Sequence, residues 1–490
     1  MIDRRRFLQS LAAGFPFAGA TTAAAQQRSS ANLPNILYIL ADDLGIGDPT
    51  CYNASSKTPT PALDRFARQG MRFTDAHSPS AVCTPTRYGI MTGRYCWRTT
   101  LKSGVLWGYS PSLIEPGRLT VAALLKSKGY DTAGIGKWHL GLGSQEKADY
   151  SKPFKPSPID YGFDSYFGIP ASLDMDPYVY IENDRAVEQP TATVAELKEQ
   201  RGIFYRGGPV APGFKHIEVL PTLTNRAVSW IAERPAKSGA KPWFLYLPMT
   251  APHTPWLPTD KFKGKSGAGP YGDFVTMFDD AVAQVLDALD KSGQAKNTLV
   301  VITSDNGAHW LPGEIEKWNH RANDNWRGQK ADIWDAGHRV PMLARWPGRI
   351  QAGSVTKDLV CHTDFMATIA EITGTRLSQN AGEDSISFLP TLLNHTGGKP
   401  ARDTIVHHSV EGHFAVRRGN WKLHLGRGSG GFSLPVEYKP KPGEPIGELF
   451  DLEADPAEKN NLYDKRPEIV KELTALLEKY QKQGFSRPVA

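Results

Sequence analysis

The chain has 490 residues, 40% of them hydrophobic and 22% charged, with a formal net charge of +6. That length supports a large core and about two to four domains of ordinary size. Its four cysteines, Cys51, Cys83, Cys96 and Cys361, exclude a disulfide-dense scaffold, and no basic run interleaved with aromatics points to nucleic acid.

At the N-terminus, Arg4-Arg5-Arg6-Phe7-Leu8 leads into a mildly apolar run from Leu11 that ends in Thr22-Ala23-Ala24-Ala25. Residues 1–25 read as a twin-arginine export signal cleaved after Ala25, which predicts a periplasmic or extracellular protein and the twin-arginine export machinery as a partner. Gln9, Pro16 and several Gly and Thr residues make the run too short and too polar for a membrane span. Setting it aside removes three arginines and Asp3, so the formal charge of +6 falls to +4, weak support for a polyanionic partner. Beside a bacterial type of signal, the sequons Asn53-Ala54-Ser55 and Asn394-His395-Thr396 carry little weight.

Four short apolar runs follow, each ending in polar residues. Asn35 to Leu40 runs into Asp42-Asp43, and Tyr130 to Gly136 runs into Lys137-Trp138-His139. Trp243 to Leu247 leads to His253, and Thr298 to Thr303 leads to Ser304-Asp305-Asn306-Gly307. Unbroken apolar runs are what strands buried on both faces look like. Helix-like segments intervene, such as Leu119 to Lys128 and Phe274 to Lys291, so the fold class is α/β: a large, mostly parallel sheet between helices. In such sheets the C-terminal strand ends share a ligand-binding crevice.

After about Gly374 the texture changes to short strands at Thr404 to His408, Phe414 to Arg417 and Trp421 to His424, then an amphipathic helix from about Pro467 to Gln483. This predicts a catalytic domain over residues 26–375 and a smaller α+β domain over residues 376–490. In the second domain, His407, His408, Glu411 and His413 are expected on a solvated strand, with the rim of a pocket as the alternative.

The stretch Cys83-Thr84-Pro85-Thr86-Arg87 continues into Tyr88 to Arg94. Pro85 suits an early helical position and Gly93 the end, which puts Cys83 near a helix N-terminus that favours an anion. Arg87, one turn on, shares its face and offers planar donors to an oxyanion. A buried or disulfide-bonded cysteine beside a surface arginine is the alternative. Asp42, Asp43, Asp305 and Asn306 are hard oxygen donors, suited to Ca²⁺ or Mg²⁺ rather than zinc. Lys137, His139, His253 and Lys330 supply cations and proton carriers of the kind an anionic ester needs. The loop from His309 to Gln329 contains Trp310, Trp318, His320, Asn323, Asn325, Trp326 and Arg327. Its rings can stack on sugars or pack the loop itself.

Ala41-Asp42-Asp43-Leu44-Gly45, Cys83 to Tyr95, Gly136 to Gly141, Ala251-Pro252-His253, Ser304 to Gly307, Lys330 with Gly337 to Pro341, and Glu448 to Leu452 together resemble a type I sulfatase. The resemblance is to the arylsulfatase A and N-acetylgalactosamine-6-sulfatase branch of the alkaline phosphatase superfamily, and it covers nearly all of the chain after the signal. It implies that Cys83 is oxidised to formylglycine (3-oxoalanine) by a formylglycine-generating or anaerobic sulfatase-maturating enzyme. It also implies one Ca²⁺ held by Asp42, Asp43, Asp305, Asn306 and modified Cys83. By the same resemblance Arg87 and Lys137 orient and neutralise nucleophile and sulfate, His139 is the base of the release step, and His253 and Lys330 serve the leaving group. Gly168 to Ser172 resembles a segment whose serine touches sulfate. With Ser172, the residues His309, Trp310 and His320 form the expected substrate contacts, and the expected substrate is a sulfated carbohydrate or an aryl sulfate. A formylglycine-dependent phosphonate or phosphodiester hydrolase and a silent sulfated-glycan binder are the alternatives.

Overall fold

The computed structural model describes residues 33–234, 240–394 and 400–488. The expected export signal and the sequon residues His395 and Thr396 lie outside them. Ten strands form the main sheet: β1 (Asn35–Asp42), β2 (Met71–Phe73), β3 (Asp131–Lys137), β4 (Ser165–Ile169), β5 (Ile181–Glu182), β6 (Arg185–Ala186), β7 (Trp243–Pro252), β8 (Thr298–Ser304), β9 (Met342–Arg345) and β10 (Ser354–Thr356). Their order is β10-β2-β9-β8-β1-β7-β3-β4-β5-β6. The five central strands, β8-β1-β7-β3-β4, are all parallel. The four apolar runs are therefore four adjacent strands whose C-terminal ends lie side by side. Every residue of β1, β7 and β8 is buried, which is why these strands show no alternation of apolar and polar residues.

The main helices are α1 (Pro61–Gln69), α2 (Cys83–Thr92), α3 (Val121–Ser127), α4 (Val219–Ala232), α5 (Gly269–Lys291), α6 (Phe365–Ile372) and α7 (Pro467–Gln483), with further short helices such as Pro312–Trp318 between them. Successive side chains of a strand point to opposite faces. In β7, Trp243 meets Trp230 of α4 while its neighbour Phe244 meets Phe365 of α6. Helices therefore cover both faces of the sheet, as the sequence pattern predicts.

The smaller sheet is antiparallel, β11 (Thr404–His408), β12 (Phe414–Arg418), β13 (Trp421–His424) and β14 (Glu448–Asp451), in that order. Helix α7 packs on β12 and β13 through buried Leu473 and Leu477. The two sheets meet at the segment leading into α2. Ala81 N–H donates to the His408 carbonyl at 3.2 Å, and His407 Nδ1 lies 3.1 Å from the Ser78 carbonyl.

Charged groups are sealed into this junction. Lys422 Nζ contacts Asp335 Oδ1 at 2.7 Å and Glu458 Oε1 at 2.9 Å, and Arg417 pairs with Asp75 at 2.7 Å. The His407 ring stacks on His338 at 3.5 Å between centroids. His407 and His408, expected on a solvated strand or a pocket rim, are both buried, because this strand is covered by the segment feeding α2. All four cysteines are free thiols. Among the described residues, no helix is long and apolar enough to cross a membrane.

Candidate active site

The C-terminal ends of β1, β3, β7 and β8 deliver Asp42-Asp43, Lys137 with His139, His253 and Asp305-Asn306 to one crevice. Cys83 enters from above as the first residue of α2, after Val82 in extended conformation. Gly93 closes the helix in the left-handed conformation, φ +65°, which a glycine adopts without strain. The thiol of Cys83 is buried, and burial pushes its pKa up to about 12 against the pull of Lys137 and Lys330. The unmodified side chain is therefore a protonated thiol, not a ready thiolate nucleophile.

One turn along α2, Arg87 is fully buried. Its Nε and Nη2 donate to Asp305 Oδ2 at 3.1 and 2.7 Å, and its Nη1 donates to the Lys137 carbonyl at 3.1 Å. Lys137 Nζ donates to Asp42 Oδ2 at 2.7 Å, and Lys330 Nζ donates to Asp43 Oδ2 at 2.7 Å. Burial pushes both aspartates up. The facing basic groups outweigh it, Lys137, His253 and Arg87 for Asp42, Lys330 and His253 for Asp43, and both stay below the usual carboxylate range. The crevice thus holds a balanced set of anions and cations at close quarters.

Two oxygens are left over. Asp42 Oδ1, 3.4 Å from Arg87 Nη2, and Asn306 Oδ1 are both buried without a hydrogen bond, an expensive arrangement unless something else satisfies them. One ligand atom each from Asp42, Asp43, Cys83 and His253 lies within 4.8 Å of the others. These two hard oxygens, with the carboxylates of Asp43 and Asp305, fit a hard divalent cation.

The histidines are set by their backbone contacts. His139 sits at φ +56°, and its Nε2 lies 2.7 Å from the Leu106 carbonyl. Nε2 therefore carries the proton, and Nδ1, buried and unpartnered, keeps a free lone pair. Burial first, and then Lys137 and Arg87, hold the His139 pKa well below the ordinary histidine value, so the ring is a neutral base. His253 is the reverse tautomer: its Nδ1 lies 2.7 Å from the Thr254 carbonyl, which leaves Nε2 toward the crevice, 3.8 Å from Asp43 Oδ2.

The expected substrate contacts divide. Ser172 is buried with its hydroxyl unpartnered, on the loop after β4. His309 lies near the cations, and burial, with Arg201 and Lys330, lowers its pKa to about 3. Trp310 does not face the crevice: it is buried against Tyr271, Trp256 and His320, because its loop folds back onto α5. His320 is buried too, with Nε2 at 2.8 Å from Asp48 Oδ1 and Nδ1 accepting from the Lys57 N–H at 3.3 Å.

Asp48 itself escapes a reading of the sequence. Its Oδ2 accepts from the Gly45 N–H at 2.8 Å and from the Tyr271 hydroxyl, which pins the turn that carries Asp42 and Asp43. Gly45 is obligatory there, since a Cβ would lie 2.0 Å from the Ala322 carbonyl oxygen. The only signal in the sequence is Asp48 following Gly45 and Gly47 in the same turn.

A crevice of this kind, with a helix N-terminus, buried cations and unsatisfied oxygen ligands at parallel strand ends, defines a hydrolase of anionic esters. Comparison with known proteins sharpens that. Residues 34–375 match the sulfatase family, and residues 326–483 match the C-terminal region of N-sulphoglucosamine sulphohydrolase. The chain is 34% identical over 487 residues to an N-acetylgalactosamine-6-O-sulfatase of Bacteroides thetaiotaomicron, covering 91% of this chain and 92% of that relative. To arylsulfatase A of Bos taurus it is 34% identical over 471 residues, covering 92% and 88%. A solved Bacteroides thetaiotaomicron protein from the metabolism of multiple glycosaminoglycans superposes with a TM-score of 0.81 at 32% identity, over 92% of this chain and all of that one. The chain belongs to the sulfatase family and is a sulfuric ester hydrolase.

Proposed function

We propose that this enzyme hydrolyses sulfate monoesters of carbohydrates, with aryl sulfates as surrogates, using formylglycine made from Cys83 and a bound Ca²⁺. The observation that carries the reading is the pair of buried oxygens without a hydrogen bond, Asp42 Oδ1 and Asn306 Oδ1, with Asp42 and Asp43 clustered against Cys83 at the start of α2. Asp42, Asp43, Asp305 and Asn306, with the modified Cys83, would hold the cation. When present, the hydrated aldehyde supplies a hydroxyl nucleophile and the cation neutralises charge around it.

The remaining side chains have definite work. Arg87, Lys137 and Lys330 offset the charge of the sulfate group, at close range and out of water, where such fixed charges act most strongly. His253, once it carries a second proton on Nε2, hands that proton to the departing alcohol oxygen, while its Nδ1–H stays committed to Thr254. His139 Nδ1 takes up the proton of the release step, because its Nε2–H is committed to Leu106. The sugar preference is supported by the N-acetylgalactosamine-6-O-sulfatase relative. Arg4-Arg5-Arg6 supports export through the twin-arginine machinery, with a maturating enzyme converting Cys83 in the cytoplasm beforehand.

The test is the mass of the Cys83 peptide with and without an aldehyde-capture reagent, paired with sulfate release from aryl and sugar sulfates. An aldehyde-bearing, Ca²⁺-loaded preparation that releases sulfate from neither class overturns the proposal. So does a preparation that turns over sulfate esters with Cys83 unconverted.

A further inference from the structure

The loop that follows β4 carries two unsatisfied polar groups. The His139 N–H donates to the Pro170 carbonyl at 3.0 Å, which ties the start of this loop beside the catalytic base. Two and four residues on, Ser172 Oγ and Asp174 Oδ1 are both buried without a hydrogen-bond partner. The Asp174 side chain is only 5% exposed.

Its other oxygen is accounted for. Arg206 Nη1 donates to Asp174 Oδ2, and the Arg206 backbone N–H donates to the Asp174 carbonyl at 3.3 Å. Oδ1 faces His253, 3.9 Å from Nδ1. That distance is too long for a hydrogen bond, and the Nδ1 proton already goes to Thr254 at 2.7 Å. The free oxygen therefore stands beside the His253 ring, on the loop that also carries Ser172.

A carboxylate oxygen only accepts hydrogen bonds, and it repels a sulfate group. Its complement is a hydroxyl or amide N–H of the leaving group. A platform for a sugar adjoins it. The Arg206 guanidinium lies 4.9 Å over the Trp107 ring, and Trp107 is 48% exposed, an apolar face of the kind on which pyranose rings lie. Trp107 directly follows Leu106, whose carbonyl orients His139.

We infer that Asp174 is the residue by which this enzyme requires a polyhydroxylated leaving group: Oδ1 accepts a hydrogen bond from the sugar that bears the sulfate, with Arg206 holding the carboxylate in place. The inference rests on the sulfated-carbohydrate reading above. A leaving group that lacks the donor leaves a buried carboxylate oxygen unpaired. Sites built to bond a hydroxyl reject analogues without it by large factors, about 10⁴ or more in the best cases.

The experiment uses aldehyde-bearing, Ca²⁺-loaded enzyme and its Asp174→Asn and Asp174→Ala variants. The substrates are 4-nitrophenyl sulfate, N-acetylgalactosamine 6-sulfate, and the 3-deoxy and 4-deoxy forms of that sugar sulfate. Turnover of the aryl sulfate also reports that each variant is folded. In the parent enzyme one deoxy sugar should lose at least 100-fold in kcat/KM. In Asp174→Ala the ratio of sugar to aryl kcat/KM should fall by at least 100-fold, and the penalty for the deoxy sugar should collapse. An equal fall on sugar and aryl sulfates, or a deoxy penalty that survives the substitution, overturns the inference. Parent enzyme that hydrolyses the aryl sulfate but not the sugar sulfate also overturns it while leaving the sulfatase chemistry standing. Failure on both substrates sinks the underlying reading itself.

Discussion

Replacing His320 tests whether that residue holds the turn that carries Asp42 and Asp43 or touches substrate. Its ring is sealed between two partners, donating from Nε2 to Asp48 Oδ1 at 2.8 Å and accepting at Nδ1 from the Lys57 N–H at 3.3 Å. His320→Ala leaves a buried carboxylate oxygen without its only side-chain donor, a loss of about 1.5–3 kcal/mol for a bond to a charged group. The vacated ring adds on the order of 1–2 kcal/mol, for a total of about 3–5 kcal/mol. Unfolding entropy for a chain of this size is about 1 kcal/mol per kelvin, so Tm should drop by about 3–5 °C in a thermal melt. His320→Gln, which can donate to Asp48 and accept from Lys57, should recover at least half of that drop. Because Asp48 also holds the Gly45 N–H at 2.8 Å, the Ala variant should bind Ca²⁺ several-fold more weakly. Its ratio of sugar to aryl kcat/KM should not change. A Tm within 1 °C of the parent, together with a KM raised only for sugar sulfates, would refute the reasoning and return His320 to the substrate pocket.

Three other outcomes are expected. Lys422→Met leaves Asp335 and Glu458 buried without the ammonium that contacts them at 2.7 and 2.9 Å; the cost should be about 3–5 kcal/mol, read as a lower Tm, and an unchanged Tm would show that the junction tolerates the loss. Burial, and for His77 also Arg339, lowers the pKa of His77 and His408 to about 4 in the folded chain. An unfolded histidine titrates near 6.5, so the stability these residues confer is complete above about pH 6.5 and drains away as pH falls toward 4, by up to about 3 kcal/mol each. Urea midpoints measured from pH 7.5 to 4.5 should fall across that window and fall less in His408→Gln; midpoints that rise on acidification would contradict the assignment. Removal of divalent cations with a chelator should lower Tm and abolish sulfate release, with Ca²⁺ restoring both better than Mg²⁺; full activity after chelation would show that the orphaned oxygens serve another purpose.

Much of the site was legible because the sheet is parallel. Once Asn35 to Leu40, Tyr130 to Gly136, Trp243 to Leu247 and Thr298 to Thr303 are read as buried strands, their polar sequels must gather at one edge. Asp42, Asp43, Lys137, His139, His253, Asp305 and Asn306 do so. Helix α2 was legible from Pro85 and Gly93. The strand β14, Glu448–Asp451, was not read as one: it follows a long Pro-, Gly- and Lys-rich loop and is set as a strand by pairing with β13.

What the sequence by itself determined is the set of chemical groups and the strand ends that carry them, because backbone propensity and burial of apolar runs are local properties. Which polar residues face the reaction was decided only by tertiary structure. Trp310, His320, His407 and His408 carry the same side chains as any sugar-binding residue, yet all are spent inside the protein. Asp174, an unremarked acid between Leu173 and Met175, ends with one oxygen bound by Arg206 and the other free. Whether a polar atom is satisfied depends on partners that come from distant parts of the chain. Residue type and spacing hold no record of that pairing.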